Sequence, residues 1–269
     1  MIKIILKPKF KFKYEMNLKN LSKINFEKKM LLKTKILYAN KEFMLNKLFH
    51  VTIQENKGVE NELVIHGLNK NCDYLGWKWS NGLLRVKSDV GSFLGVNMSD
   101  GQILIDGSAE NFVGSKMFGG KIIVHSNVRN FVGASLPGEK IGMAGGEIII
   151  KGNASDFLGF NLRRGTILVE GDVGNDPCHN MIAGTVILGK NFGDNLGFGM
   201  KRGTIFVSQE TPYFSNFVKS GEIKTSFYNL LNIYFMKDFG FKIFEKNQKL
   251  IRFFGDVSFN GMGEILVKK

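Results

Sequence analysis

Apolar and polar residues alternate in short blocks through the middle of the chain, and the blocks recur at a fixed interval. Each block begins after a glycine, and the residues two and four positions beyond that glycine are aliphatic, as in Ile103 and Ile105 or Ile167 and Val169. A period of two carried by β-branched residues is typical of a β-strand. The pattern therefore predicts a series of short strands.

The glycines that begin the blocks define the period. They are Gly82, Gly101, Gly120, Gly146, Gly165, Gly184 and Gly203. Every interval is nineteen residues except the one between Gly120 and Gly146, which is longer by an insertion of seven. A short fixed period indicates stacked units that cannot bury a core alone. Because nineteen residues suit three short strands with tight corners, we predict an all-β fold, a right-handed parallel β-helix of seven or eight coils with small α/β flanks.

Two more columns follow the same period. A polar residue recurs in the turn after each strand, at Asp89, Ser108, Asn127, Asn153, Asp172 and Asn191. An aromatic residue recurs at Tyr74, Phe93, Phe112, Phe131 and Phe157. We expect the polar side chains to bond their own backbone, as is common in turns. We expect the aromatic residues to stack in the core rather than to form a sugar-binding platform.

The repeat divides the chain into three predicted domains. Residues 1–60 are a basic, strand-plus-helical cap, residues 61–210 are the β-helix, and residues 211–269 are a C-terminal flank. An amphipathic helix is predicted around residues 226–239, with one face formed by Phe227, Leu230, Leu231, Tyr234 and Phe235. Because a solenoid needs its open ends covered, both flanks are expected to cap or dock on it.

One column of the strands is apolar although it faces away from the inner ladder. After Arg85 it reads Leu104, Ile123, Ile149, Leu168, Ile187 and Phe206. A strand that is apolar on both faces is normally covered on both faces. Two covers remain open for this apolar stripe: the chain's own helix around residues 226–239, or another subunit that docks on it.

The net charge of +13 is unevenly distributed. Residues 1–60 contain 14 lysines and 5 acidic residues (14 − 5 = +9), whereas residues 61–203 contain 14 basic and 13 acidic residues (14 − 13 = +1). Attraction to a polyanion and a set of solvated lysines both fit this bias. No recognisable nucleic-acid-binding module accompanies it, so we expect no nucleic acid partner.

Composition favours a cytoplasmic protein. No apolar run is long enough to span a bilayer, and the lysine-studded N-terminus does not have the pattern of a secretory signal. The two cysteines, Cys72 and Cys178, do not make a disulfide framework. We expect no membrane partner.

The repeat contains few residues that could act in catalysis or bind a metal. Asp89 and Asp172, the acids of the turn column, lie four coils apart, roughly 19 Å at the strand spacing. That is too far for the paired carboxylates of a carbohydrate-active β-helix enzyme. Cys178 and His179 form one adjacent pair without metal-ligand spacing, and Cys178 stands in a column held elsewhere by glycines. We expect no catalytic, cofactor-binding or metal-binding residue.

One basic cluster recurs in part. Two coils apart, pairs of basic residues precede the block-starting glycines: Arg163 and Arg164, then Lys201 and Arg202. They are either solvated corner residues or a contact for an anion or an acidic partner.

The Gly-x-Ile/Val-x-Ile/Val strands, the Asp/Asn turns and the Met-x-x-Gly corners resemble the GXGXG β-helix. That fold is known from glutamate synthase and from the β-helical, C-type chain of formylmethanofuran dehydrogenase. Residues 138–146, 199–204 and 255–266 look like the C-type chain. More narrowly, the insertion and the C-terminal segment look like its bacterial counterpart in the formyltransferase/hydrolase complex of methylotrophs.

The resemblance implies a hetero-oligomeric enzyme of one-carbon metabolism. In methylotrophs it would move a formyl group from a tetrahydromethanopterin carrier to a methanofuran-type carrier and release it as formate, whereas the archaeal relatives are oxidoreductases. It implies that the carriers and any molybdenum, tungsten or zinc belong to partner subunits, and that this chain is a scaffold without turnover of its own. The alternative is a structural or regulatory module of the glutamate synthase type.

Overall fold

The computed structural model describes residues 1–24, 26–208, 214–226, 228–245 and 248–269. Its strands, in chain order, are β1 (Ile2–Pro8), β2 (Met16–Asn17), β3 (Lys35–Tyr38), β4 (Lys41–Met44), β5 (Phe49–Glu55), β6 (Glu62–His66), β7 (Cys72–Asp73), β8 (Leu83–Lys87), β9 (Gln102–Ile105), β10 (Lys121–Val124), β11 (Ala144–Ile150), β12 (Arg164–Val169), β13 (Thr185–Leu188), β14 (Thr204–Val207), β15 (Phe217–Ile223), β16 (Leu250–Gly255) and β17 (Gly263–Lys268). The α-helices are α1 (Lys28–Lys33), α2 (Leu45–Leu48) and α3 (Tyr228–Phe239). Short 3-10 helices span Lys19–Ile24 and Val257–Phe259.

Most strands join one large sheet. Within the described residues its parallel part has the order β1-β6-β8-β9-β10-β11-β12-β13-β14-β17. Strand β5 adds antiparallel beside β1, and β16 and β15 continue antiparallel beyond β17. The predicted all-β character and the parallel arrangement of the repeated strands are confirmed.

Neighbouring strands align in the register that the period predicts. Ile103 pairs with Ile122, Ile122 with Ile148, and Ile148 with Ile167. The insertion lies between Ile122 and Ile148, and it leaves the two strands aligned. All four side chains are 0% exposed, because alternate residues of every strand point into the same core.

Equivalent residues also stack on two other sides of each unit. One line of parallel bridges joins Ala109, Val128, Ala154, Val173 and Phe192. On another side the amide of Gly114 donates to the carbonyl of Leu94, and the amide of Gly133 donates to the carbonyl of Val113 in the same way. Each unit is therefore bonded to its neighbours on three sides, as expected of a solenoid.

The recurring glycine has a steric cause, which Gly165 illustrates. Its φ is +98°, and a Cβ there would lie 2.7 Å from the carbonyl oxygen of Gly146 and 2.7 Å from Cε of Met143. Glycine is needed because the backbones of two coils approach closely at this corner. The methionine of a Met-x-x-Gly corner thus fills the space beneath the next glycine.

The polar turn column joins coils to each other. Oδ1 of Asn127 accepts a hydrogen bond from the amide of Asn153 at 2.9 Å, and Oδ1 of Asn153 accepts one from the amide of Asp172 at 2.9 Å. The expectation that these side chains bond their own backbone is wrong, because the stacked turn presents its amide within reach. A second column of the same kind runs through Asp73, Ser92, Asn111, Asn130, Asp156, Asn175 and Asp194.

The aromatic column stacks on the outside of the coils. Its rings lie 4.5–5.2 Å apart at interplanar angles of 2–8°. All five residues are half-buried, with φ between 57° and 65°. The prediction of a core position is wrong: the left-handed backbone turns each ring outward, while the neighbouring Leu94 and Val113 are 0% exposed and fill the core.

Both flanks contribute strands to the large sheet. Strand β1 pairs with β6, and β17 pairs with β14. Phe12, Met16 and Phe49 belong to the same buried cluster as the coil residues, so the N-terminal core continues that of the coils. Strands β4, β3, β2 and β7 form a separate small sheet. The division at residues 60 and 210 stays a prediction.

The predicted C-terminal helix is observed as α3. Leu231, Tyr234 and Phe235 form its inner side and pack on the sheet. Leu230, predicted on the same side, is 71% exposed, because one residue turns an α-helix by about 100°. Phe227 lies outside the described residues.

Candidate functional site

Four basic side chains meet at one edge of the coils, as predicted. This basic corner comprises Arg163, Arg164, Lys201 and Arg202. The amide of Arg163 donates to the carbonyl of Met143 at 2.9 Å, and that of Lys201 donates to the carbonyl of Met181 at 2.8 Å. Since each corner is bonded to the coil beneath it, the two basic pairs are held two coil steps apart, about 10 Å.

A cleft of about 530 Å³ lies along the basic corner. Ile182 and Ala183, from the coil between the two basic pairs, also line it. Phe259, Asn260 and Met262 line it from the C-terminal flank. Phe259 is 52% exposed and Met262 is 67% exposed, so the cleft combines cations with accessible apolar surface.

A buried carboxylate positions the C-terminal lining. Asp256 is 0% exposed, and it accepts hydrogen bonds from the amide of Ser258 at 2.8 Å and from the amide of Gly199 at 3.0 Å. The amide of Met262 donates to the carbonyl of Lys201 at 2.7 Å. The segment that carries Phe259 and Met262 is thus tied directly to the basic corner.

The basic corner is not neutralised within the described chain. Some basic residues elsewhere in the repeat pair with an acid one coil away, as Lys151 does with Glu170 and Arg129 with Glu110. None of the four basic-corner side chains has an ion-pair partner among the residues that the structure describes. Four like charges along one cleft produce a positive potential that attracts anions.

The apolar stripe is covered mostly by the chain itself. Four of its residues are at most 2% exposed and pack against α3 and the segment after it: Ile149, Leu168, Ile187 and Phe206. For these four residues, the expectation that another subunit docks on them is corrected, because side chains of this chain already cover them. Leu104 and Ile123, at the other end of the stripe, are only half-buried, and of these two Ile123 packs against the same cluster as the four covered residues. Docking of another subunit at this end stays a prediction.

Two tyrosines fasten α3 to the sheet. The hydroxyl of Tyr228 donates to Glu264 at 2.9 Å, and that of Tyr234 donates to Glu147. Burial and the bonded carboxylate raise the pKa of Tyr228 to about 12. The same two causes raise the pKa of Tyr234. Both phenols therefore remain protonated donors at neutral pH.

The outer side of α3 exposes three apolar residues. Leu230, Ile233 and Met236 are 71%, 62% and 53% exposed. These three exposed apolar residues lie on the same helix as exposed Lys237 and Asp238, so the outer side of α3 is apolar only in part.

A family model accounts for this repeat. The model of the GXGXG motif matches residues 50–230, well over half of the 269 residues. The chain belongs to the GXGXG motif family. No curated protein sequence matches that of this chain.

The GXGXG chain is also similar to a solved structure over almost its whole length. That structure is the X-ray crystal structure of the formyltransferase/hydrolase complex (FhcABCD) from Methylorubrum extorquens, determined in complex with methylofuran. One of its chains matches with a TM-score of 0.84 and 29% identity, covering 98% of this chain and 99% of that chain.

The side chains of this GXGXG chain that could be considered for catalysis have structural roles instead. Oδ1 of Asp89 accepts the amide of Ser108 at 2.8 Å, as part of the turn column. Cys178 is 0% exposed, and burial raises the pKa of its thiol. Its amide donates to the Leu158 carbonyl, so it occupies the glycine column as predicted.

In the described part of the GXGXG chain, no group of three or more His, Cys, Asp and Glu side chains could hold a metal ion. No helix there is both long enough and apolar enough to cross a membrane.

Sequence reasoning missed the C-terminal lining of the cleft. Phe259 and Met262 reach the basic corner because β17 pairs with β14, although β15, α3 and β16 lie between these two strands along the chain. The one sequence signal was Gly263, which carries the glycine column one coil beyond Gly203.

Proposed function

We propose that this chain is the C-type scaffold subunit of a formyltransferase/hydrolase complex. The observation that carries the proposal is the match to a chain of such a complex over 98% of this sequence at 29% identity. Its partners would then be the other subunits of that complex. The glutamate-synthase-type module shares the GXGXG motif, but no further observation favours it.

The proposed complex acts in tetrahydromethanopterin-linked one-carbon metabolism in the cytoplasm, as in methylotrophs. It transfers a formyl group to a methanofuran-type carrier and releases it as formate. The carriers, and any molybdenum, tungsten or zinc, are held by partner subunits. We further propose that the seven or eight coils wind in the right-handed sense, as about 98% of crossovers between parallel strands do.

Two surfaces support a scaffold role. Leu104 continues the apolar stripe beyond its covered part, and the outer side of α3 adds exposed Leu230 and Ile233. An apolar surface of this kind is typical of a protein–protein interface. The basic corner adds a contact for an anion or an acidic partner.

The scaffold role is tested by comparing formyl turnover with and without partner subunits. The purified full chain, supplied with a formylated methanofuran-type carrier, is expected to release no formate above a buffer control. Addition of the co-expressed partner subunits is expected to produce turnover. Formate release by the isolated chain at the rate of the complex would contradict the scaffold role.

A further inference from the structure

The cleft along the basic corner fits an extended chain that bears carboxylates. We propose that it binds an acidic segment of a partner subunit in an extended conformation, an inference that rests on the proposed assembly. Charge complementarity is the primary reason, because the four cations have no ion-pair partner among the described residues. By contrast, Lys151, directly after β11 of the same large sheet, is paired with Glu170.

The spacing of the cations favours an extended ligand. Backbone bonds to Met143 and Met181 hold the two basic pairs on separate coils, about 10 Å apart. In a polyproline II segment, side chains on one side recur every three residues, about 9.3 Å. Acidic residues at positions i and i+3 would therefore face Arg163 and Lys201 at the same time.

The chemistry of the lining favours carboxylates on a polypeptide. Three of the four cations are arginines, whose planar guanidinium groups bind carboxylates with two parallel hydrogen bonds. Ile182 and Ala183 separate the two basic pairs with an apolar step. Discrete acids separated by apolar residues match this order, whereas a nucleic acid presents a charge about every 3.4 Å per strand.

The cleft is formed before any partner arrives. Asp256 anchors the segment of Phe259 through the amide of Ser258, and Met262 is bonded to the Lys201 carbonyl. A preorganised surface loses less conformational freedom on binding. Phe259 and Met262, both more than half exposed, offer contact to the apolar residues of the incoming segment.

Fluorescence anisotropy with the purified full chain tests the binding step. The probe is a labelled (Glu-Pro-Pro)4 peptide, and the matched control is (Gln-Pro-Pro)4. We expect the acidic peptide to bind, and Arg163→Ala plus Arg164→Ala to weaken it by about tenfold or more. Lys190→Ala plus Lys237→Ala removes the same charge from exposed sites outside the cleft and is expected to change the affinity less than twofold.

Three results of this assay would overturn the inference: equal binding of the Gln peptide, no effect of the double arginine substitution, or tighter arginine-dependent binding of a single-stranded DNA 12-mer. The assay needs no partner subunit, so its failure leaves the proposed assembly intact. Conversely, failure of the assembly in a co-purification experiment would leave peptide binding measurable.

The source of the segment is tested in the assembled complex. A photo-crosslinking p-benzoylphenylalanine replaces Ala183, between the two basic pairs, and the crosslinked peptide is identified by mass spectrometry. We expect a crosslink to a segment of another subunit with acidic residues at every third position. A crosslink to a segment without acidic residues, to a second copy of this chain, or to no protein would overturn the inference.

Discussion

The side-chain oxygen of Asn130 accepts a hydrogen bond from the backbone amide of Asp156, with 3.1 Å between the oxygen and the nitrogen. Asn111 makes the same bond to Asn130, and Asp156 makes it to Asn175. The step from Asn130 to Asp156 covers the insertion. These bonds join each coil to the next outside the sheet, so they help to hold the register.

Substitution of Asn130 tests this column. Asn130→Ala removes the acceptor for the Asp156 amide and is expected to lower the free energy of unfolding by about 1–2 kcal/mol. Asn130→Asp keeps an acceptor oxygen, as Asp156 itself does in the column, and is expected to be closer to the wild type. Denaturant unfolding measures both. Equal destabilisation by the two substitutions would show that the bond is unimportant.

In the aromatic column, a glycine variant is expected to be more stable than an alanine variant, which reverses the usual order. Phe112 stacks between Phe93 and Phe131 with φ +61°. Phe112→Ala and Phe112→Gly both lose the ring, at a cost of about 2–4 kcal/mol. The glycine variant is expected to be more stable than the alanine variant by about 1 kcal/mol, because only glycine accepts this backbone without strain.

A residue in a strand serves as the control for the relative stability of the alanine and glycine variants. Thr185 lies in β13 and is not among the residues with positive φ. There Thr185→Ala is expected to be more stable than Thr185→Gly. Thermal unfolding of the four variants gives both comparisons. An alanine variant more stable than the glycine variant at both positions would contradict the strain at Phe112.

Much of the fold could be predicted because the period itself identifies which residues stack. Ile122 and Ile148 lie on either side of the insertion, yet the glycine column aligned them correctly across it. The direction of the aromatic rings could not be predicted in this way. A left-handed backbone at Phe93 and Phe112 depends on the local corner, which the period does not specify.

The candidate site could be predicted only in part. Arg163 and Lys201 share a column, so their proximity followed from the period. The contribution of Phe259 depends on the pairing of β14 with β17, two strands far apart along the chain, for which Gly263 was the one sequence signal. The cover of Ile187 was undetermined because α3 and a partner subunit would both present apolar side chains.

Ionisation of Asp73 is expected to lower the stability of the folded chain as the pH rises. Burial raises its pKa against the opposing effect of the Ser92 amide, and the charges of Glu15 and Glu110 raise it further. A raised pKa in the folded state means that this carboxyl contributes stability below its unfolded pKa and loses that contribution as pH rises through the folded value. Asp73 is therefore least favourable to folding when it is ionised.

Asp73→Asn tests that sign. The amide oxygen can still accept the 2.7 Å bond from the Ser92 amide, without the charge of the half-buried carboxylate. The variant is expected to melt at a higher temperature than the wild type at pH 7, and the difference is expected to vanish below about pH 4. A lower melting temperature at pH 7, or the same difference at pH 3.5, would contradict the prediction.

The two ends of the apolar stripe are expected to respond differently to a charge. Ile187 is 1% exposed beneath the C-terminal flank, so Ile187→Asp is expected to destabilise the isolated chain by several kcal/mol, about the cost of a buried unpaired polar group. Leu104 is half-buried, so Leu104→Asp is expected to leave the chain folded but to reduce its co-elution with partner subunits. Circular dichroism and size-exclusion chromatography separate these effects. Normal assembly of the Leu104→Asp variant would show that this end of the apolar stripe is not part of the interface with partner subunits.

Isolation of the native assembly tests the scaffold role most directly. The full chain, tagged and expressed at its native level, is purified at low salt, and its partners are identified and counted by native mass spectrometry. We predict stoichiometric recovery of the other subunits of a formyltransferase/hydrolase complex, together with formyl turnover. Recovery of the chain alone, or in stoichiometric association with amidotransferase or flavin subunits of the glutamate synthase type, would contradict it.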